Sequence, residues 1–239
     1  MTGDKHAHIN LTGRRLAGAA AVALLVCLSV SGQAPPTEPQ PASLPVSYGI
    51  VADNSASLRD QTNYIVRASQ EIIGSGRPED EVFLVRFTGR KNIKRVHGLT
   101  RDKKAVSDAA EDFFVEYGQT AVIDAVYESA EYLARQVPPE NAGRRRALVL
   151  ITDGEERDSR RKVKELLTLL GEKKIRVFVI GFVEHLKGRR GFLAAQAHSR
   201  AVTLLNQLAE ATGGRAYFPK NTNQLREAVA GISEGLRNP

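Results

Sequence analysis

The chain has 239 residues, a net charge of +7, 42% hydrophobic and 26% charged residues, which is enough for one ordinary domain and an appendage. Its single cysteine, Cys27, lies in an N-terminal apolar run, so the rest has no disulfide, no thiolate metal site and no cysteine nucleophile. Trp is absent and aromatics amount to six Tyr and eight Phe, which weakens any stacking platform for sugars or single-stranded nucleic acid.

Arg14-Arg15 followed by the apolar run Leu16–Val30 and the small residues Ser31, Gly32 and Ala34 reads as a secretory signal over 1–34, too short for a comfortable spanning helix. Cleavage after Ser31 or Gly32 avoids Pro35 and Pro36; retention as a signal-anchor is the other option. The paired arginines hint at twin-arginine export. Either way the expectation is an exported protein: periplasmic, secreted or anchored to the outer face of the cytoplasmic membrane. Residues 35–45 are Pro-rich and read as an extended linker. Residues 46–237 remain for the folded domain. Without 1–34 the chain carries 31 basic and 26 acidic residues, only a mild bias toward anionic partners.

The domain begins with Val46-Ser47-Tyr48-Gly49-Ile50-Val51, an apolar run that reads as a buried strand. Helical spacing of Ile65, Ala68 and Ile72 predicts a helix over 59–73, stopped by Gly74-Ser75-Gly76. Val82-Phe83-Leu84-Val85 marks a strand over 81–88, and 92–97 a shorter, charge-flanked edge strand. A weaker helix covers 102–114. The helix after Ala121 carries Val122, Val126, Ser129, Leu133 and Val137 on one face and ends at Pro138-Pro139. Then follow a strand over 146–152, a helix over 159–170 with Gly171 at its C′ position, a strand over 175–181, and a long basic connection over 183–199. A helix over 201–212, a short strand over 215–218 and a helix over 221–236 complete the chain. Helices alternate with strands that lack polar alternation. The fold class expected is therefore α/β: three layers, α-β-α, with a doubly wound, mostly parallel six-stranded sheet and one short antiparallel edge strand.

In such a sheet ligands bind beyond the carboxyl ends of the strands, where strand order reverses. Asp53, with Ser55 and Ser57 at alternate positions, ends the first strand; Asp153 ends the strand over 146–152; Thr120 opens a helix after a glycine turn. On its own Asp53-x-Ser55-x-Ser57 is also compatible with a simple turn in which Asp53 caps a helix. If the two strands are neighbours, two carboxylates and three hydroxyls face one crevice. All five are oxygen donors, which disfavours zinc and favours Mg2+, with Mn2+ or Ca2+ as substitutes.

Asp53-x-Ser55-x-Ser57, Gly118-Gln119-Thr120-Ala121 and Thr152-Asp153-Gly154 resemble the three parts of the metal-ion-dependent adhesion site of von Willebrand factor type A (vWA) domains, and the resemblance spans about 44–237. Leu208–Phe218 also resembles the end of many secreted bacterial vWA proteins. The family usually has Gly where this chain has Ala56, whose methyl group would tighten the loop. The resemblance implies that Ser55 and Ser57 ligate a cation directly, that Thr120 joins when a partner is bound, and that Asp53 and Asp153 act wholly or partly through water. It implies an adhesion or scaffolding module whose sixth ligand is an Asp or Glu of a partner protein. The alternative is a structural or oligomerisation domain of the cell envelope in which metal only stabilises.

Rival chemistries lack their residues. An aspartyl phosphotransferase needs a second Asp where Ser55 stands. No Gly-x-Ser-x-Gly elbow or Gly-x-Gly-x-x-Gly fingerprint follows a strand. His97, His185 and His198 keep no spacing to a serine motif and read as surface histidines. An enzyme is not expected, nor is a nucleic-acid partner. Three basic clusters, Arg86 to Arg95, Arg144-Arg145-Arg146 and Lys187 to Arg190, read as solvated charge; the loop over 183–200 is the one placed to steer an acidic partner. Glu155-Glu156 belongs to the rim or favours the next helix's N-terminus.

Overall fold

The structure, a computed structural model, describes residues 44–138, 140, 143–184, 186 and 192–238, with side chains from 195 in the last stretch. Chain contacts separate Met1–Gln40 from Pro41–Pro239, and the second unit is the subject below. The signal, most of the linker, His185 and Lys187–Arg190 lie outside the described residues.

Six strands form one sheet: β1 (Val46–Asp53), β2 (Glu81–Phe87), β3 (Ile93–Thr100), β4 (Arg145–Thr152), β5 (Ile175–Gly181) and β6 (Ala216–Tyr217). Their spatial order is β3-β2-β1-β4-β5-β6, and every pairing is parallel except β2 with β3. The helices are α1 (Thr62–Gly74), α2 (Lys103–Glu111), α3 (Val122–Gln136), α4 (Val163–Glu172), α5 (Phe192–Glu210) and α6 (Thr222–Arg237). One buried cluster joins Ile65 and Ile72 of α1, Val106 of α2 and Leu225 and Val229 of α6 to one face of the sheet. The other joins Val126 and Leu133 of α3, Leu166 and Leu170 of α4 and Leu205 and Leu208 of α5 to the opposite face. Tyr48 and Ile50 of β1 point one way and Val51 the other, so a strand with no polar alternation still alternates between two cores. This is the three-layer doubly wound fold expected, and strand order reverses between β1 and β4.

Several boundaries differ from expectation. The helix after β1 begins as a 3-10 stretch, Ala56–Gln61, in which the Leu58 N–H reaches the Ser55 carbonyl at 3.0 Å. Helix α4 starts at Val163 rather than 159, and the N–H groups of Arg160 and Arg161 ahead of it are bonded to Asp124 of α3. It also runs past Gly171, and Lys174 takes the left-handed turn at φ 50°. Helix α5 starts at Phe192, well inside the stretch read as a long connection; Ala-rich sequence sustains the helix there although residues 195–200 are partly or fully exposed and show no buried face. The antiparallel strand lies at the edge but is eight residues long; the short strand is β6.

The basic run Arg144–Arg146 is not solvated. Arg146 is buried and donates to the carbonyls of Lys173 (3.0 Å) and Pro138 (2.8 Å), while Arg144 donates to the Val46 and Glu79 carbonyls. These bonds tie down the edge of the sheet opposite the strand ends that carry Asp53 and Asp153. Asp80 does the same for β1: its buried carboxylate accepts from the Val46 N–H at 2.8 Å and the Arg77 N–H at 2.8 Å, with the Arg77 guanidinium 3.3 Å away. Burial alone would raise its pKa, but those donors outweigh it and hold the carboxyl below the usual range. A depressed carboxylate stabilises the fold above its unfolded value of about 3.9, and that stability is lost as pH falls through the folded value. Asp80→Ala is therefore expected to cost about 2 kcal/mol in urea unfolding at neutral pH. The gap to wild type should narrow progressively below about pH 4.

Candidate metal centre

Pairing of β1 with β4 puts Ala52 beside Ile151, so Asp53 and Asp153 leave the sheet side by side. Both are fully buried. A chain of short bonds runs between them. The Ser55 N–H donates to Asp53 Oδ1 at 2.9 Å, and the Thr152 hydroxyl donates to Asp53 Oδ2 at 2.6 Å. The Ser57 hydroxyl donates to Asp153 Oδ2 at 2.6 Å. Its one proton is spent there, so in the 3.0 Å contact between the two serine hydroxyls Ser55 is the donor. Asp153 Oδ1 accepts the Glu155 N–H at 2.9 Å. Asp53 is thus an acceptor in its own loop, not the cap of a helix.

Thr120 reaches the crevice on a third loop. Asn54 draws that loop toward β1: its carbonyl accepts from Glu116 N–H (2.8 Å), its amide donates to the Phe114 carbonyl (3.1 Å), and its side-chain oxygen accepts from Thr88 (3.1 Å). The Thr120 carbonyl accepts the N–H groups of Arg157 and Asp158 at 2.9 and 3.0 Å. Thr120 is buried, and among the described residues its hydroxyl has no hydrogen-bond partner. Four of the five expected site residues therefore form one bonded chain, and Thr120 stands beside it, held by its backbone.

Residues that carry no ligand signature set this geometry. The Glu156 carboxylate accepts the Ile123 N–H at 2.8 Å, capping α3, the helix before it in the chain rather than the one after. Asp124 accepts the N–H groups of Arg160 and Arg161 at 2.9 and 3.0 Å, and Ser159 Oγ accepts the Asp124 N–H at 3.1 Å. The loop after β4 and the start of α3 thus clamp each other. Gly154 turns away from Asp153 at φ +75°, and an added Cβ would lie 2.9 Å from the Leu205 side chain. Ala56 keeps a negative φ, so the departure from the family's glycine carries no backbone strain. At the rim Tyr117 is 83% exposed, and Arg59 donates to its hydroxyl at 2.9 Å. His97 and His198 take no part; His198 is only partly exposed and faces Glu184 at 3.9 Å.

Two buried carboxylates this close repel. Burial first, and the charge of Asp153 second, raise Asp53 to about 7, partly offset by the Thr152 and Ser55 donors. Among the described residues no Lys or Arg pairs with Asp53; Arg157 is engaged with Glu155 at 2.6 Å and Arg90 with Asp158 at 2.9 Å. The donor set, two carboxylates with three hydroxyls and no nitrogen or sulfur, fits a hard divalent cation, whose charge would remove the repulsion. Among the described residues no three or more His, Cys, Asp or Glu side chains group so that they could hold a metal ion, so hydroxyls would have to supply part of any donor set here.

Fold and site together define an open α/β domain with an oxygen-only cluster of carboxylates and hydroxyls at its topological switch point. The chain belongs to the von Willebrand factor type A domain family, whose profile matches residues 49–230. Such domains are commonly adhesion and protein-interaction modules. Among solved structures, BatB, described as a conserved hypothetical protein of Bacteroides thetaiotaomicron, is 20% identical with TM-score 0.61, covering 81% of this chain and all of its own. An aerotolerance-related membrane protein of Bacteroides fragilis is 19% identical with TM-score 0.60 over 80% of this chain and 99% of its own. The pilus adhesin SpaC of Lactobacillus rhamnosus GG is 11% identical with TM-score 0.59 over 82% of this chain and 30% of its own. No curated protein sequence matches.

A raised carboxyl has a definite sign. Ionised Asp53 costs the fold stability as pH rises from the unfolded value of about 3.9 through about 7. In metal-free protein Asp53→Asn should therefore be more stable than wild type at pH 8, by on the order of 1–3 kcal/mol, and the advantage should vanish toward pH 4. Parallel urea titrations of the two proteins in chelator check this. Gly154→Ala should be destabilised by about 1–2 kcal/mol in the same assay, through its left-handed φ and the contact with Leu205.

Proposed function

We propose that this protein is a metal-dependent protein-binding module, of the adhesion or scaffold kind, and not an enzyme. Asp53, Ser55, Ser57, Thr120 and Asp153 would hold the cation, with Mg2+ preferred and Mn2+ or Ca2+ as substitutes. Bound there, the cation supplies an electrophilic position that a carboxylate from outside can complete. The single observation that carries this reading is the buried Asp53 carboxylate, held beside Asp153 with hydroxyl and amide donors and no described lysine or arginine bonded to it.

The chain's own residues divide the work. Ser55 and Ser57 present neutral oxygens, leaving a cation's charge under-compensated and open to an acidic partner. Asp53 and Asp153 supply the negative charge from behind them. Thr120 has its hydroxyl uncommitted, so it can approach without breaking a bond. The partner is then a protein presenting Asp or Glu, and neither nucleic acid nor a lipid surface is called for. Among the described residues no helix is long and apolar enough to cross a membrane. The N-terminal segment argues for export, with the domain in the periplasm, secreted, or anchored at the outer face of the cytoplasmic membrane.

Thermal unfolding tests the site. At a hundredfold excess over its dissociation constant, Mg2+ should raise wild-type stability over the chelator-treated protein by about 2.7 kcal/mol. That corresponds to a midpoint shift of several degrees, and Asp53→Ala should show none. Partner capture should follow the same pattern: present with Mg2+, lost in chelator, lost in Asp53→Ala. Capture that persists in Asp53→Ala overturns the reading in favour of a domain that metal merely stabilises.

A further inference from the structure

Two stretches far apart in sequence converge beside the site. A cleft of about 530 Å3 is lined by Arg90 and Lys91 from the β2–β3 turn, Asp124 and Glu128 of α3, and Arg160 and Arg161 from the loop after Asp153. A second cleft of about 490 Å3 shares Glu128 and Arg161 and continues between the sheet edge and α3, past Arg95 of β3 to Arg135. Together they form a groove. Its upper end adjoins the metal loops, since Asp158, which holds Arg90 by its carboxylate, donates its own N–H to the Thr120 carbonyl.

Two of the groove's arginines lie on aromatic rings. The Arg161 guanidinium lies 3.5 Å from the Tyr127 ring centre, and that of Arg95 lies 4.1 Å from Tyr132. Tyr132 is itself held by the Leu99 N–H at 2.9 Å. A guanidinium lying on a ring keeps its N–H fork free for side-on bonding to a carboxylate, and its ordering cost is already met. Lys91 and Arg160 are exposed. Among the described residues none of these four cations has a carboxylate within ion-pair distance.

The carboxylates present do not cancel them. Asp124 is turned inward to the backbone N–H groups of Arg160 and Arg161. Glu128 and Glu131 remain, and burial, then the charge of Asp124, holds Glu128 above its ordinary range although the Arg161 charge partly offsets them. Those two glutamates also select the ligand. A polyanion with a charge at every step, such as a nucleic acid, must pass over them. An extended peptide can place its acids at the arginines and neutral residues at the glutamates, because its side chains alternate.

We infer that this groove takes an extended acidic segment of a partner protein, the same segment whose carboxylate completes the cation site. The inference rests on the proposed function for that joint use alone; the groove does not need the metal.

The test is fluorescence anisotropy of a labelled peptide of alternating Glu and Ser against the whole protein at low salt, with Mg2+ and with chelator. Three variants accompany wild type: Lys91→Ala/Arg160→Ala, Asp53→Ala, and Arg226→Ala on the exposed face of α6 as a control for bulk charge. Binding should weaken with salt. It should fall about five- to tenfold in the double variant, stay within about twofold in the control, and persist in part in chelator and in Asp53→Ala. Loss in Asp53→Ala with none in the double variant overturns the groove and leaves the metal reading standing. Binding that is indifferent to Mg2+ and to Asp53→Ala but lost in the double variant keeps the groove and removes the joint use. No binding at low salt, or complete displacement of the peptide by a heparin oligosaccharide at equal charge concentration, overturns the inference.

Discussion

Two like charges stand buried at the ends of adjacent parallel strands, and much of the domain is arranged to keep them there. Strand pairing brings Asp53 next to Asp153, and the apolar residues of β1 and β4 leave little freedom to separate them. Repulsion in a water-poor site is strong, and the chain answers with hydroxyl and amide donors instead of a lysine or arginine at Asp53. Such donors soften the charge without neutralising it. The two packed faces of the sheet, where each fully buried Leu, Ile or Val contributes roughly 1.5–3 kcal/mol, tolerate that local cost.

The surrounding loops divide into fixed and uncommitted parts. Asn54, Glu156, Asp124 and Ser159 bond to backbone across loops, so the loop after β4 and the start of α3 behave as one unit. Thr120 is attached to that unit through its carbonyl while its hydroxyl remains unengaged. A side chain held by its backbone with its functional atom left over is what a ligand position needs before the ligand arrives, because no internal bond must break on binding. The opposite edge of the sheet has the reverse character: Arg144, Arg146 and Asp80 are consumed by backbone groups, and little polar capacity is left over.

Much of this was legible in the sequence, for local reasons. The strands are apolar runs because both faces of the sheet are covered, and the Asp53, Thr120 and Asp153 loops carry their donors within a few residues of a strand end or a helix start. What was not legible depends on distant partners. Helix α4 begins late, and ahead of it Asp124, 36 residues upstream, holds the Arg160 N–H. Glu156 sits just ahead of one helix yet caps another. The Arg144–Arg146 run resembles any solvated basic cluster until the carbonyls it meets are known. Helix α5 extends over residues with no buried stripe, so periodicity had nothing to register.

The contrast between two kinds of arginine bears on whether the domain binds or merely supports. An internal scaffold has no reason to leave charge unmatched, and evolution has ready means to match it: Arg157 and Arg90 lie on the flank of these loops, yet they pair with Glu155 and Asp158 rather than with Asp53. The same restraint recurs lower down, where Arg95 and Arg161 are stacked on tyrosines although Glu128 lines the clefts with them. An Asp53 that no described lysine or arginine bonds, and arginines stacked on tyrosines beside it, would together be costly neighbours in a closed structure. They are consistent in an open one, where a divalent ion answers the first and an acidic chain answers both the ion and the second. On the proposed reading the unbalanced charges would be complementary halves of one binding surface.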